Sequence, residues 1–156
     1  MKKLFALLVS LVLVVSFFSS AFAENILAAD VDDIVDMIEY SVADDFAYCN
    51  VIYNQKDNLL IVDFAIDGFA QYITELKQNG GSKYSEDWVL FKDAISYMYS
   101  TLQETISLVG RDDLKDILVL RLVNDDVVLR CDYSTISYSP FLIIRKGILV
   151  EDVMAR

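Results

Sequence analysis

The longest amphipathic pattern in the chain runs from Ser85 to Gly110 and predicts one long helix. Apolar side chains recur at steps of three and four residues, which is the period of one helix face. They are Trp88, Phe91, Ile95, Met98, Leu102, Ile106 and Val109. Ser85 can cap the first turn, and Gly110 can adopt the left-handed conformation that ends a helix. Strand-like segments on both sides indicate that this helix packs on a sheet.

Alternating apolar and polar positions predict strands on both sides of the helix. Two of them precede it as a hairpin, Tyr48 to Tyr53 and Leu59 to Asp67. The almost wholly apolar run Ile117 to Val123 follows the helix and is typical of a central strand covered on both faces, although Arg121 interrupts it. A polar turn at Asn124-Asp125-Asp126 then leads to three further strands, Val127 to Tyr133, Phe141 to Ile144 and Ile148 to Val153. The last two flank a turn at Arg145-Lys146-Gly147, which predicts a hairpin.

Two shorter helices complete the pattern, Asp30 to Phe46 and a second from Phe69 to Leu76 that Asn79-Gly80-Gly81 ends. Turns between neighbouring strands are too short for crossovers, so we expect mostly antiparallel pairing. The predicted fold is α+β, with the element order α-β-β-α-α-β-β-β-β. It contains an antiparallel sheet of about five or six strands packed against helices on one face.

The first 23 residues predict a cleavable signal peptide. Lys2 and Lys3 are basic, Leu4 to Phe18 is apolar apart from two serines, and Ala21-Phe22-Ala23 suits a signal peptidase. The alternative is an uncleaved membrane anchor, although the apolar run is shorter than the about 20 residues that a bilayer span needs. We expect a secreted or extracytoplasmic chain that starts at Glu24, with residues 24–156 as a single domain.

Cleavage after Ala23 leaves a strongly acidic chain. It removes Lys2 and Lys3 from the 13 basic residues, so that 11 face 24 acidic ones and the net charge is −13. Such a chain repels nucleic acid and anionic membrane surfaces, so we expect neither as a partner. It attracts cationic peptides or basic proteins, with strong dependence on salt. Solubility alone is the alternative reason for the charge.

Two cysteines, Cys49 and Cys131, lie inside predicted strands. An exported protein can form a disulfide, but buried free cysteines are also common, so both states stay open. A bond between them needs the two hairpins to be close, with Cα atoms within about 7 Å. The loop it closes is long, so the chain-entropy model gives about 4–5 kcal/mol of stabilisation before strain.

Patterns for catalysis or metal binding are sparse. The chain has no histidine, which removes the commonest general base and the commonest metal ligand. A cysteine in an apolar strand is unreactive, no Gly-rich phosphate loop occurs, and carboxylates this abundant pair by chance. The acidic cluster at Asp30, Asp32, Asp33 and Asp36 lacks the glycine turn of a calcium loop and suits a helix N-terminus better. We expect no catalytic residue, metal or cofactor.

The tyrosines are the strongest indication of a binding surface. All nine follow Ala23, and they do not all fit one buried face. Tyr97 and Tyr99 lie in the long helix, and Tyr133 and Tyr138 enclose a serine-rich segment. Exposed tyrosine beside serine is typical of protein-binding surfaces, so these four are the candidate binding residues. The alternative is that tyrosine simply tolerates half-burial.

The segment Phe141 to Val153 consists of a strand, a Lys146-Gly147 turn and a strand ending in Glu151-Asp152-Val153. This pattern resembles small exported proteins of Gram-positive bacteria, which also carry a Trp-bearing central helix. The resemblance implies a compartment and a fold, and no activity. The first functional hypothesis is therefore an exported non-catalytic domain that binds a protein or peptide. The alternatives are a small carboxylate-based hydrolase and a structural component of the cell envelope.

Overall fold

The computed structural model of the chain describes residues 30–42, 46–128 and 140–156. Its helices are α1 (Val31–Val42), α2 (Phe69–Gln78), α3 (Glu86–Leu108), α4 (Asp112–Lys115) and α5 (Asp125–Val128). Its strands are β1 (Tyr48–Asn54), β2 (Leu59–Ala65), β3 (Leu118–Leu122), β4 (Leu142–Arg145) and β5 (Ile148–Asp152). A 3₁₀ turn at Val153–Ala155 follows β5. The predicted α+β class is confirmed.

Within these residues, five strands form one sheet in the order β1-β2-β3-β4-β5. β3 is the central strand, as its apolar sequence predicts. The β1·β2, β3·β4 and β4·β5 pairs are antiparallel, whereas β2 and β3 run parallel. A parallel pair needs a crossover connection, and the segment from α2 to α4 supplies it.

One face of the sheet and the helices share a single hydrophobic core. Strand residues at alternating positions supply the sheet side of this core: Val51, Leu60, Val62, Phe64, Leu118, Leu120, Leu122, Leu142 and Ile144. All seven apolar residues predicted for the inner side of α3 are buried in the same cluster. Their burial stabilises the fold, because each large apolar side chain removed from water contributes about 1.5–3 kcal/mol.

The two ends of α3 are stabilised in different ways. Gly110 adopts the predicted left-handed conformation at φ 80°, and the Arg111 N–H donates to the Ile106 carbonyl at 3.1 Å. Ser85 occupies the N-cap position, but its hydroxyl makes no capping bond. The hydroxyl instead accepts the Ser82 N–H at 2.9 Å, so the predicted side-chain cap is wrong. That bond closes a turn which directs the chain into the helix.

Helix α1 begins as predicted and ends earlier than predicted. Its last residue is Val42, residues 43–45 lie outside the described part of the chain, and Phe46 is buried beyond the helix. At the start, the Val31 N–H donates to an Asp30 carboxylate oxygen, and the Asp30 N–H donates to Asp33. The acidic residues therefore satisfy free amides of the first turn, as expected for a helix N-terminus.

The predicted turn at Asn124-Asp125-Asp126 and the predicted start of a strand at Val127 are wrong. Residues Asp125–Val128 are helical, and the remainder of the predicted strand lies outside the described residues. The cause is a distant contact, because the buried Asp125 carboxylate accepts the Ala70 N–H at 2.8 Å. Gly68, at the N-cap of α2, has no side chain to do this. Asp125 thus caps α2 from 55 positions away.

Candidate functional site

The solvent side of α3 carries a stripe of large apolar side chains. Leu90, Tyr97 and Leu108 are 51%, 48% and 58% exposed. Their spacings of seven and eleven residues are close to whole numbers of turns, so the three lie on one side of the helix. Isolated exposed apolar residues are ordinary, but these three are aligned in a strip on the side opposite the buried face, with polar positions between them.

Acidic side chains run beside this strip. Glu86, Asp93 and Glu104 are exposed on the same side of α3, at positions one turn or two turns from the apolar residues. We call these six residues the α3 ridge: Glu86, Leu90, Asp93, Tyr97, Glu104 and Leu108. The helix contains one basic residue, Lys92, which forms an ion pair with Asp152 at 3.2 Å. Among the described residues, no salt bridge involves Glu86, Asp93 or Glu104, so the ridge combines apolar contact area with negative charge.

The four tyrosines proposed from the sequence divide into three groups. Tyr97 is exposed and belongs to the ridge, so its proposed role in binding is compatible with its position. Tyr99 is 1% exposed, and its hydroxyl donates to the Leu118 carbonyl at 3.2 Å. Its proposed role as a surface residue is wrong, because the helix turns it towards the sheet. Tyr133 and Tyr138 lie outside the described residues.

A cleft of about 450 Å³ opens beside the C-terminal half of α3. We call it the end cleft, because it lies where β2 and β3 begin and where β4 turns into β5. Its walls come from four parts of the fold: Asn58, Leu59, Gln103, Asp116, Ile117, Arg145, Lys146 and Gly147. This volume lies in the range of small-molecule sites, and the lining mixes apolar, amide and charged groups.

Tyr99 lies close to the hairpin turn that forms one wall of the end cleft. The turn places Lys146 at φ 52° and Gly147 at φ 71°, which is the geometry of a two-residue hairpin turn. Burial raises the pKa of the Tyr99 hydroxyl, and the nearby backbone amides of Gly147 and Lys146 lower it by less. The hydroxyl therefore stays protonated, and its bond to the Leu118 carbonyl joins α3 to the start of β3.

The cations of the end cleft are free of ion pairs with the described residues. Arg145 and Lys146 are both exposed, and neither shares a salt bridge with any carboxylate there. Asp116 lies on another wall of the same cleft and likewise has no ion-pair partner in residues 30–42, 46–128 and 140–156. The cleft thus presents charges of both signs to a ligand.

Cys49 sits in β1 with its side chain half-buried against the core. Burial, followed by the nearby carboxylates of Glu39 and Asp63, raises the pKa of its thiol to about 12. Within the described residues it is unbridged. Cys131 lies outside them, so pairing of the two cysteines stays a prediction.

We expect native Cys49 to react with iodoacetamide at pH 8 at least about 100-fold more slowly than in urea, because a thiol with a raised pKa forms little thiolate below that pKa. The rate is measured by mass spectrometry in a Cys131→Ser variant, which leaves Cys49 as the single thiol. Equal rates in native and denatured protein would contradict the assigned burial. In the parent protein, denatured without reductant, two labels per chain exclude the disulfide, whereas no label together with a monomeric mass supports it.

Metal ligands do not converge in the part of the chain that the structure describes. No group of three carboxylate or thiol side chains there could hold a metal ion. Across residues 30–42, 46–128 and 140–156, no helix is both long and apolar enough to cross a membrane.

Comparisons with protein-family models, curated proteins and solved structures give no match. The resemblance to exported Gram-positive proteins therefore stays a prediction.

Two features of these surfaces were missed from the sequence, although a signal for each was present. Leu90 and Leu108 are apolar but fall outside the buried stripe of α3. An apolar residue at such a position in a helical pattern indicates an exposed contact residue. The sequence predicts only a turn at Arg145 and Lys146, yet two adjacent cations are unusual in a chain this acidic. The cleft around them could not be foreseen, since its walls are distant in sequence.

Proposed function

We propose that this chain is an exported, non-catalytic domain that binds a cationic peptide or a basic protein through the α3 ridge. The observation that carries the proposal is the combination of Leu90, Tyr97 and Leu108, each about half exposed, with three exposed acids on the same side of the helix. Large apolar side chains supply contact area, and the acids favour a positively charged partner.

The dimensions of the ridge define the partner further. Leu90 and Leu108 are 18 residues apart, which along a helix corresponds to about 27 Å. A partner helix of similar length that carries apolar residues flanked by lysine or arginine matches both parts of the ridge. The net charge of −13 attracts such a partner from a distance and speeds the encounter at low salt.

Export is the part of the proposal that rests on residues 1–23, which lie outside the described residues. We expect the secreted protein to begin at Glu24, since the basic start, apolar run and Ala21-Phe22-Ala23 together suit signal peptidase. Intact-mass measurement of culture supernatant and membrane fractions decides this. A chain that keeps Met1 to Ala23 in the membrane fraction would support the anchor instead.

The binding proposal is tested with a fluorescently labelled amphipathic peptide of leucine and lysine and with its leucine and glutamate counterpart. We expect the mature protein to raise the anisotropy of the basic peptide alone, with affinity falling as salt rises. Two variants separate the contributions: Leu90→Ser with Tyr97→Ser removes contact area, and Glu86→Gln with Asp93→Asn and Glu104→Gln removes charge. Each should weaken binding by about tenfold or more, equivalent to about 1.4 kcal/mol.

Asp67→Asn is the matched control, since Asp67 is exposed and lies outside the ridge. It should leave binding almost unchanged. Equal losses in the control and the ridge variants would mean that total charge alone attracts the peptide, and the assigned surface would be wrong. The hydrolase alternative needs two converging carboxylates, whereas the described lining of the end cleft contributes one, Asp116.

A further inference from the structure

The geometry of the end cleft points to a second binding site, for a small zwitterionic ligand of the size of an amino acid or a dipeptide. The site is distinct from the α3 ridge and does not rest on its function. Its volume of about 450 Å³ accommodates such a molecule with water around it. Its lining offers complementary groups for a carboxylate, an ammonium and a short apolar side chain.

The carboxylate end of the ligand is bound at the β4–β5 turn. Arg145 and Lys146 both line the cleft, and neither is neutralised by an ion pair with a described residue. A guanidinium offers two parallel N–H donors to a carboxylate, and an adjacent ammonium adds charge. The two-residue hairpin turn, with Lys146 at φ 52° and Gly147 at φ 71°, holds both cations on one defined backbone geometry.

The ammonium end is bound at Asp116, which lines the cleft just ahead of β3. Asn58 and Gln103 supply amide groups to the same space, and Leu59 and Ile117 supply apolar surface. Gln103 is held in place, since its side-chain N–H donates to the Lys115 carbonyl at 3.0 Å. The oxygen of the same amide takes no part in that bond and can accept a hydrogen bond from the ligand.

Charge balance favours a zwitterion over a simple anion. The sequence as a whole carries 24 acidic residues against 13 basic ones, so its long-range field repels anions. Asp116 adds a local negative charge to the cleft. A dianion such as phosphate gains contacts with the two cations, but the long-range field and Asp116 both repel it. A ligand that also has a cationic end interacts favourably with Asp116.

Titration of the ¹⁵N-labelled mature protein with the dipeptide Gly-Leu tests the site. We expect saturable shifts of the Gly147 backbone amide and of the Asn58 and Gln103 side-chain amides. N-acetylated and C-amidated forms of the same dipeptide should each bind about tenfold more weakly, because each lacks one charge-assisted bond. Inorganic phosphate is the fourth probe, and we expect weaker binding than for Gly-Leu.

Variants identify the groups responsible. Lys146→Asn removes the charge and keeps a residue that tolerates φ 52°, so the turn is preserved. Lys146→Asn and Arg145→Gln should each weaken the binding of Gly-Leu and leave the binding of the C-amidated dipeptide unchanged. Asp116→Asn should weaken the binding of Gly-Leu and leave the binding of the N-acetylated dipeptide unchanged. Lys77→Gln, an exposed position in α2, is the control for loss of positive charge. Thermal unfolding of each variant verifies that the fold is intact.

The inference fails if Gly-Leu causes no saturable shift up to about 50 mM, a concentration well above the millimolar range of the weakest specific ligands. It also fails if the blocked dipeptides bind as well as Gly-Leu, or if phosphate binds more tightly and Asp116→Asn strengthens its binding. The last result would identify a simple anion site. None of these outcomes bears on the basic peptide and the α3 ridge, so the two proposals are judged separately.

Discussion

Arg121→Ala should destabilise the fold by about 3–5 kcal/mol, since it leaves a buried charge without its partner. The Arg121 guanidinium contacts both carboxylate oxygens of Asp63, with Nε–Oδ1 and Nη2–Oδ2 distances of 2.5 and 2.6 Å. Asp63 is 0% exposed, whereas a quarter of the Arg121 side chain reaches solvent. The two residues are register partners on the central parallel pair of strands. The loss is measured by urea unfolding.

Two further variants distinguish loss of the pair from loss of packing. Arg145→Ala removes an exposed arginine from the neighbouring strand and should change stability by no more than about 0.5 kcal/mol. Replacing both members, Asp63→Leu with Arg121→Met, should recover most of the loss, because no charge is then left buried. If Arg121→Ala unfolds within about 1 kcal/mol of the parent, Asp63 must be solvated and the assigned burial is wrong.

Phe91→Ala should cost a similar amount, about 3–5 kcal/mol, through the cavity that it leaves. Phe91 is 1% exposed, and its ring centroid lies 4.8 Å from that of Phe69 and 5.5 Å from that of Trp88. Phe69 also contacts Phe141, so the cluster joins α2, α3 and the entry to β4. This loss is a large part of the about 5–15 kcal/mol by which a domain is stable.

The neighbouring Leu90→Ala is the matched control. Leu90 is half exposed, so its truncation should lower the free energy of unfolding by no more than about 0.5 kcal/mol. The same change should weaken the binding of the basic peptide. Trp88 is buried and is the single tryptophan of the chain, so its fluorescence reports the surroundings of Phe91 directly. A Phe91→Ala protein that melts within a degree or two of the parent would show that the inner side of α3 is assigned wrongly.

Local patterns predicted most of the elements because their causes are local. The inner face of α3, its end at Gly110, the β1–β2 hairpin and the Lys146-Gly147 turn each follow from spacing or from one residue's conformational preference. The central position of β3 followed from its continuous apolar sequence, since a strand covered on both faces needs no polar side.

The features that could not be predicted depend on residues far apart in the chain. The local sequence predicts a turn at Asp125, because its partner, the Ala70 amide, lies 55 positions earlier. Arg121 interrupts an apolar run in the sequence, and nothing local indicates that Asp63 stands beside it. Tyr99 differs from Tyr97 only in helical angle, and a two-residue offset was enough to place one inside and the other outside. The end cleft combines four such distant segments.

The parallel pairing of β2 with β3 also limits when the chain can fold. β2 ends at Ala65 and β3 begins at Leu118, so the first hairpin leaves the ribosome well before its central neighbour exists. At a synthesis rate of about 5–20 residues per second, the delay is several seconds. Helix α2 meanwhile lacks its cap from Asp125. Assembly of the sheet is therefore a late event with high contact order, and until then the core side of the first hairpin lacks the strand that will cover its inner edge.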